Sequence, residues 1–427
     1  MTTQQQNRKK GDKTMKQHFR LITLTMFLIA VIAVHAVRAA AQSLPSAGPP
    51  DRGVADVTAG PGSLLIAAPA PPWGDVTTVL AAYNGYISKF LQQYGDGNYS
   101  FAAREGAYGP TAGFWQDAEE IEIVEDMYYW DQANNGGFNA TLLKNTITKL
   151  SNGFTNDLWG ADWSGDSFND DICWASIAFA RAGEITGKRA FTALAVSNLN
   201  RVWARARIHN DALHYGLRQR QGIDRPEANV NFGFVTAAYL TRDSSLIADA
   251  DDVYRWAAVP QYHLLQADGK VKDSFPNGPV DYSYNYGIAL NAAVRKADSA
   301  SIEAISNYLR YHFVGDCYPM NGTTVYAGKT LNVLPNYAHN SCDGSTDRGG
   351  NNVGYDGIAF RGMGVAIGRG YLGGTDSRVW AEGNVALAYS NRNSDNLMWT
   401  DFQAPTEATG NYSWNCSSAL VGMLVTP

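Results

Sequence analysis

The sequence predicts an all-α chain folded as an (α/α)6 barrel, six helical hairpins arranged as an inner and an outer ring. Three observations carry this. Apolar residues recur at helical rather than alternating spacing in twelve segments, near 75–93, 115–132, 139–151, 168–186, 189–207, 227–241, 244–258, 283–296, 299–314, 354–371, 376–391 and 412–424. Short turns of similar chemistry join several of them: Thr186-Gly187-Lys188, Thr241-Arg242-Asp243-Ser244, Ala297-Asp298-Ser299 and Gly373-Gly374-Thr375-Asp376. The centres at Gly187, Asp243 and Asp298 lie 56 and 55 residues apart, which marks an internal repeat. The third observation is a difference within each repeat. The first helix is apolar or small nearly all round, as from Ile172 to Ala180, whereas the second carries charges on one side, as at Arg201, Arg205 and Arg207 or Asp249, Asp251, Asp252 and Arg255. A helix apolar on every face is buried and one with a charged stripe lies at the surface, so inner and outer helices alternate. An irregular helical solenoid is the other architecture this pattern permits.

Ahead of the repeat lie a basic stretch (Arg8, Lys9, Lys10, Lys13, Lys16, Arg20), an apolar run from Leu21 to Val34 and small residues at Ala39-Ala40-Ala41. That is the layout of a secretory signal peptide over residues 1–41. The run is short of the roughly 20 residues that cross a bilayer, and no later stretch is long and apolar enough. The expectation is export to the medium, periplasm or cell surface, with no membrane insertion once the signal is removed; a retained anchor is the alternative. Residues 42–72 hold seven prolines (45, 49, 50, 61, 69, 71 and 72) among Gly, Ala and Ser and read as a linker, because such a composition buries too little apolar surface to offset chain entropy. Residues 73–427 are then the barrel domain that carries the chemistry.

Removing 1–41 would take away seven of 34 basic and one of 40 acidic residues, moving the formal charge from -6 to -12. An acidic surface disfavours nucleic acid as a partner. Of four cysteines, Cys317 and Cys342 bracket a loop-like stretch rich in Gly, Asn and Pro, and an exported chain would pair them as a disulfide. Cys173 and Cys416 fall in apolar helix patterns and read as small buried hydrophobes. No Cys/His spacing suggests zinc, and no metal or cofactor is expected.

The starts of the inner helices share a composition: Trp115-Gln116-Asp117, Phe168-Asn169-Asp170-Asp171, Glu227-Ala228-Asn229-Val230-Asn231, Asp281-Tyr282-Ser283-Tyr284-Asn285 and Tyr355-Asp356-Gly357. Parallel inner helices would bring these starts to one rim. Acidic and Asn residues there can serve as caps for orphan N–H groups, but capping uses one residue per helix, not a cluster of Trp, Tyr, Asn and Asp on five. Aromatic faces beside carboxylates and amides suit sugar rings, which offer flat C–H surfaces and hydroxyls. Asp170 and Asp171 stand out. Adjacent helical residues point about 100° apart, yet in a first turn both can lean into one cleft, where repulsion and partial burial separate their pKa values. One carboxyl ionised and one protonated is what acid/base glycosidase chemistry demands. On local physics alone, capping plus surface charge is the favoured reading of the pair.

The surrounding residues settle on a family. Asn169-Asp170-Asp171-Ile172-Cys173-Trp174, followed by Ala178-Phe179-Ala180-Arg181-Ala182-Gly183-Glu184-Ile185-Thr186-Gly187, resembles the Asp-Asp-x-x-Trp helix ending in Thr-Gly of the family-76 glycoside hydrolases, endo-acting α-1,6-mannanases with an (α/α)6 fold. Phe114-Trp115-Gln116-Asp117-Ala118-Glu119 is similar to that family's Trp-Gln helix, Asn229 falls where its next inner helix opens, and Tyr284-Asn285-Tyr286-Gly287 is similar to its Tyr-Asn-Gln-Gly. Asp356-Gly357-Ile358-Ala359-Phe360-Arg361-Gly362 resembles its segment ending Phe-Lys-Gly, and the matches run in order over roughly 75 to 425.

The resemblance implies a retaining double displacement in which Asp170 is the nucleophile and Asp171 the general acid/base. It implies sugar contacts from Trp115, Gln116, Asn169, Trp174, Asn229, Tyr284, Asn285 and Asp356 and a mannan-like polysaccharide as partner; a monomer is the expectation, although nothing in the sequence reads out oligomeric state. The sequence departs from the pattern where Ala175 replaces a second Trp, Tyr286 replaces Gln, and Tyr215-Gly216-Leu217-Arg218-Gln219-Arg220-Gln221 stands for a Gly-Gly-x-x-Trp-Trp-like segment. The walls of the site therefore differ more than its carboxylates. A non-catalytic glycan-binding barrel, or an (α/α)6 hydrolase or lyase for another glycan, are the alternatives.

Overall fold

The computed structural model describes residues 75–426 apart from 110–112, 209–215, 259–263, 277–280, 316, 319 and 321; the expected signal segment and linker lie outside the described residues. Each of the twelve predicted segments is helical: α1 (Val76–Phe90), α2 (Phe114–Asn134), α3 (Ala140–Asn152), α4 (Asn169–Thr186), α5 (Arg189–Ala206), α6 (Ala228–Thr241), α7 (Ser244–Ala257), α8 (Ser283–Arg295), α9 (Ser299–Tyr311), α10 (Tyr355–Gly368), α11 (Thr375–Ser390) and α12 (Ser417–Val425). Three two-stranded antiparallel hairpins decorate the connections: β1 (Leu91–Tyr94) with β2 (Asn98–Phe101), β3 (Thr323–Tyr326) with β4 (Lys329–Asn332), and β5 (His339–Asn340) with β6 (Ser345–Thr346). In the first, Leu91 faces Phe101 and Tyr94 faces Asn98. The apolar spacing that runs to 93 thus ends as a helix at Phe90.

Packing sorts the helices into two rings. The inner helices touch in the closed order α2, α4, α6, α8, α10, α12 and back to α2, and the outer helices α3, α5, α7 and α9 pack beside them. No solenoid closes on itself in this way. Inner helices are buried on nearly every face: α6 from Ala228 to Ala238 and α8 from Ser283 to Val294. The outer α7 and α9 bury only one stripe. At the turn after α4, Gly187 sits at φ 73°, a left-handed geometry that glycine adopts without a Cβ clash.

The two rings also differ at their N-termini. Asp75, Asn139, Asp243 and Asp298 cap the outer helices α1, α3, α7 and α9 through side-chain oxygens. Among the described residues none of the six inner helices has a side-chain cap; their N-cap positions hold Gly113, Phe168, Glu227, Tyr282, Gly354 and Cys416. The polar residues at the inner starts are not caps. In particular, Asp170 and Asp171 lie in the first turn of α4, after the uncapped Phe168.

Two glycines explain why α8 and α10 approach so closely. A Cβ on Gly287 would lie 2.1 Å from the Ile358 carbonyl oxygen, and one on Gly362 would lie 2.1 Å from the Gly287 carbonyl oxygen. The backbone contact leaves no room for any other residue.

One inner helix departs from the apolar expectation. α2 buries Glu119, Glu122, Glu125 and Asp126. Arg181 of α4 pairs with Glu122, Glu125 and Asp126, and Arg361 of α10 pairs with Glu119, Glu122 and Asp126. Burial pushes the Glu119 carboxyl up to about 8 and Glu125 well above the carboxylate range, while their arginine partners pull the other way. Two guanidinium groups thus face four carboxyls in the barrel interior, two of which, Glu119 and Glu125, burial drives toward the protonated form, so the buried charges are paired.

Candidate active site

Five inner helix starts meet at a cavity of about 310 Å³. Its lining comprises Gly113, Phe114 and Trp115 of the α2 start, Phe168, Asp170, Asp171 and Trp174 of α4, Asn229 of α6, Tyr284 of α8, Tyr355 of α10, and the loop residues Gln219 and Asn351. The aromatic rings form a continuous wall: Trp115 lies 6.5 Å from Trp174 and 6.0 Å from Tyr355, Trp174 lies 6.4 Å from Tyr284, and Tyr284 lies 4.2 Å from Tyr355, centroid to centroid. Trp115 is fixed by its indole N–H, which donates to Asn351 Oδ1 at 2.9 Å, and by an edge contact with Trp414.

Of the ten residues expected at the site, six line this cavity: Asp170, Asp171, Trp115, Trp174, Asn229 and Tyr284. The other four do not. Asn169 is fully buried; its amide donates to the Arg218 carbonyl at 2.8 Å and its carbonyl accepts from Arg205 Nε at 2.6 Å, so no polar atom is left for a sugar. Gln116 is buried away from the cavity, with Gly113 at its side chain. Asn285 is buried and its amide donates to Asp273 at 3.0 Å. Asp356 is buried and accepts from the Ser283 hydroxyl at 2.7 Å, which joins α8 to α10; burial pushes the carboxyl well above its usual range, with the Ser283 hydrogen bond opposing. Successive side chains on a helix point about 100° apart, so a neighbour of a cavity residue can turn into the protein, as these four do, although Asp170 and Asp171 in the first turn of α4 both reach the cavity.

Gln219, Phe114, Phe168, Asn351 and Tyr355 were not among the expected site residues. Tyr355 and Phe168 belong to the aromatic starts of α10 and α4, and that composition pointed to them. Gln219 reaches the cavity because isolated bridges from Phe168 to Arg220 and from Arg218 to Pro226 lay its loop across the start of α4, a tertiary pairing with no local pattern. Cys317 and Cys342 are joined, with Cα atoms 5.0 Å apart, in the connection from α9 to α10. Cys173 and Cys416 are buried free thiols.

The two aspartates have different surroundings. Asp170 Oδ2 accepts from Asn229 Nδ2 at 2.7 Å and Gln219 Nε2 at 3.1 Å, while its buried Oδ1 makes no hydrogen bond. Burial pushes its pKa up to about 7, with the Gln219 amide pulling down. Asp171, half-buried, is pushed up to about 9 by burial, then by the charges of Asp170 and Asp166 and a hydrogen bond with the Asp166 carboxyl. Among the described residues neither forms an ion pair. Burial thus favours the protonated form at both carboxyls and more strongly at Asp171, an arrangement that can set a nucleophile or base beside an acid. Glu227, at the start of α6, is pushed up to about 8 by burial and by Asp273, with Arg225 opposing. Among the described residues no His/Cys/Asp/Glu group is arranged to hold a metal ion, and no helix is long and apolar enough to cross a membrane.

A closed (α/α)6 barrel with a carboxylate pair and an aromatic wall at the N-terminal rim of its inner helices defines the class, a barrel-fold glycosidase. The sequence profile of glycosyl hydrolase family 76 matches residues 79–295, and the chain belongs to that family. The fold is that of an α-1,6-mannanase of Salegentibacter sp. HEL1_6 (TM-score 0.62, 15% identity, 83% of this chain and 98% of that one), whose inactive variant, two consecutive aspartates replaced by alanine, is in complex with α-1,6-mannotetrose. It is also that of a family 76 mannosidase from Bacteroides thetaiotaomicron VPI-5482 (TM-score 0.59, 13% identity, 82% and 96%). A third, Dfg5 from Chaetomium thermophilum in complex with glucosamine, has a TM-score of 0.54 at 13% identity over 82% and 88% of the two chains. No curated protein matches the sequence.

Proposed function

We propose that the protein is an exported endo-α-1,6-mannanase acting by retention, with Asp170 as nucleophile and Asp171 as general acid/base. The observation that carries this reading is the pair itself: two adjacent carboxyls on one cavity, one steadied by two amides and the other pushed by burial and neighbouring charge toward its protonated form. In the first step Asp170 attacks the anomeric carbon as the glycosidic C–O bond breaks, and Asp171 gives its proton to the departing oxygen. In the second, Asp171 takes a proton from water, whose oxygen displaces Asp170 from the sugar. Trp115, Trp174, Tyr284 and Tyr355 would hold sugar rings by their faces. The Salegentibacter mannanase supports the substrate and the role of paired aspartates, since its inactive form lacks two consecutive ones and is in complex with an α-1,6-linked mannooligosaccharide. The basic, apolar and small-residue order of residues 1–41 supports export.

The test is digestion of α-1,6-mannan by the wild type, Asp170→Asn and Asp171→Asn, with NMR of the first product. Mannooligosaccharides of retained α configuration, absent with either variant, are expected. Product of inverted configuration would remove the double displacement, and an active variant would remove that residue's role.

A further inference from the structure

We propose that Asp166 is a positioning residue for the reaction: its carboxylate accepts a hydrogen bond from the Asp171 carboxyl and orients that group, as proton donor, toward the cavity. The proposal rests on the reading of Asp171 as the general acid.

The geometry around Asp166 is built for this. Its Oδ1 accepts from the Phe168 N–H at 2.8 Å, an Asx turn that fixes the carboxylate just ahead of α4. Arg205 of α5 clamps the same loop from behind, donating to the Asp166 carbonyl at 2.7 Å, the Ser164 carbonyl at 2.9 Å and Asn169 Oδ1 at 2.6 Å. The Gln221 N–H ties the next residue by donating to the Ser167 carbonyl at 3.0 Å. A loop held at so many points keeps one carboxylate beside Asp171.

The charge balance runs the same way. The acidic groups acting on Asp171 are Asp170 from its own helix and Asp166 from the loop. The charge of Asp170 acts in turn on Glu227, just ahead of α6, and Arg205 sits behind Asp166. The phenols of Tyr284 and Tyr355, on the facing helices, are held neutral by burial. Asp170 must lose its proton to attack, so Asp166 is the group that can act on the acid without entering the bond changes. A carboxylate accepting from a carboxylic acid favours the protonated donor, and for a general acid that sets the alkaline limb of the pH profile.

Asp166→Asn and Asp166→Ser test this, because an amide oxygen or a hydroxyl can still accept the Phe168 N–H and keep the turn. In both, the alkaline limb of kcat/KM on α-1,6-mannan should move down by about one pH unit or more, with KM changed less than about threefold. On a nitrophenyl α-1,6-mannobioside, whose leaving group needs no proton, the deficit in the first step should disappear. An alkaline limb left in place overturns the proposal, as does loss of the native fold in both variants, which would make the residue purely a brace. If Asp171→Asn remains active, the reading of Asp171 as acid fails instead; if it is inactive while the Asp166 variants keep the wild-type limb, only the role of Asp166 fails.

Discussion

Two sets of buried carboxyls lie on the inner helices, and they differ in what stands opposite them. In the barrel interior Glu119, Glu122, Glu125 and Asp126 face Arg181 and Arg361. At the rim Asp170 and Asp171 face amides, aromatic rings and each other. Trp174 borders both sets, lining the cavity on one side and a void of about 10 Å³ beside Glu119, Glu122 and Arg361 on the other. Where guanidinium groups compensate, the carboxyls hold helices together. Where none does, desolvation raises both pKa values, and the protein carries unfavourable burial that chemistry can use.

The largest effect should separate the two sets. Asp171→Asn is expected to lower kcat/KM by about 10³- to 10⁴-fold while leaving the thermal midpoint unchanged or raised, because it removes a carboxyl that burial disfavours. Arg361→Met should do the reverse, costing about 3–5 kcal/mol in denaturant unfolding by stranding its partner carboxylates, with activity of the folded fraction within a few-fold. If Arg361→Met proves neutral in stability, the division of labour between the sets falls.

A smaller effect tests the amides. Asn229→Ala removes the shorter hydrogen bond to Asp170 Oδ2, and kcat/KM should fall by about 10- to 100-fold with little change in midpoint. Unaltered kinetics would leave Gln219 as the group that steadies Asp170.

The smallest effect is in pH dependence. Burial, then the neighbouring Glu122 carboxyl, pushes Glu119 up to about 8 from its ordinary value of 4.5. A raised carboxyl contributes fully below its unfolded value, and that contribution is lost as pH rises through the folded one, so stability should decline from about pH 5 to 9. Glu119→Gln should flatten this decline in thermal melts recorded across the range; an identical slope would put the proton elsewhere in the network.

Much of the fold could be read from the chain because helical periodicity and the repeat of short turns are local signals. Which helices lie inside followed from residues such as Ile172 to Ala180, apolar on every face. The exception, α2, could have been read from the other side: Arg181 and Arg361 stand in otherwise apolar inner helices and need acidic partners. The site was legible as far as composition reaches. The starts of α2, α4, α6, α8 and α10 do converge, but neither composition nor the family resemblance says which of two neighbours turns inward, so the sugar contacts that the resemblance implies include Asn169, Gln116, Asn285 and Asp356 beside Trp115, Trp174, Asn229 and Tyr284. Gln219 depended on a loop pairing between distant backbones, and Asn351 on the connection that follows the Cys317–Cys342 bridge.

The closure of the inner ring has a consequence in time. α12 packs against both α10 and α2, so the last described helix completes a wall begun by one of the first. Trp414, in the turn before α12, buttresses Trp115 in the cavity wall. A chain emerging from its N-terminus can form its hairpins in turn, yet the ring stays open until the residues near 425 arrive. Such a contact between sequence extremes raises contact order and slows the final step of folding. Any truncation that removes α12 should therefore leave a chain with most of its hairpins and no finished binding site.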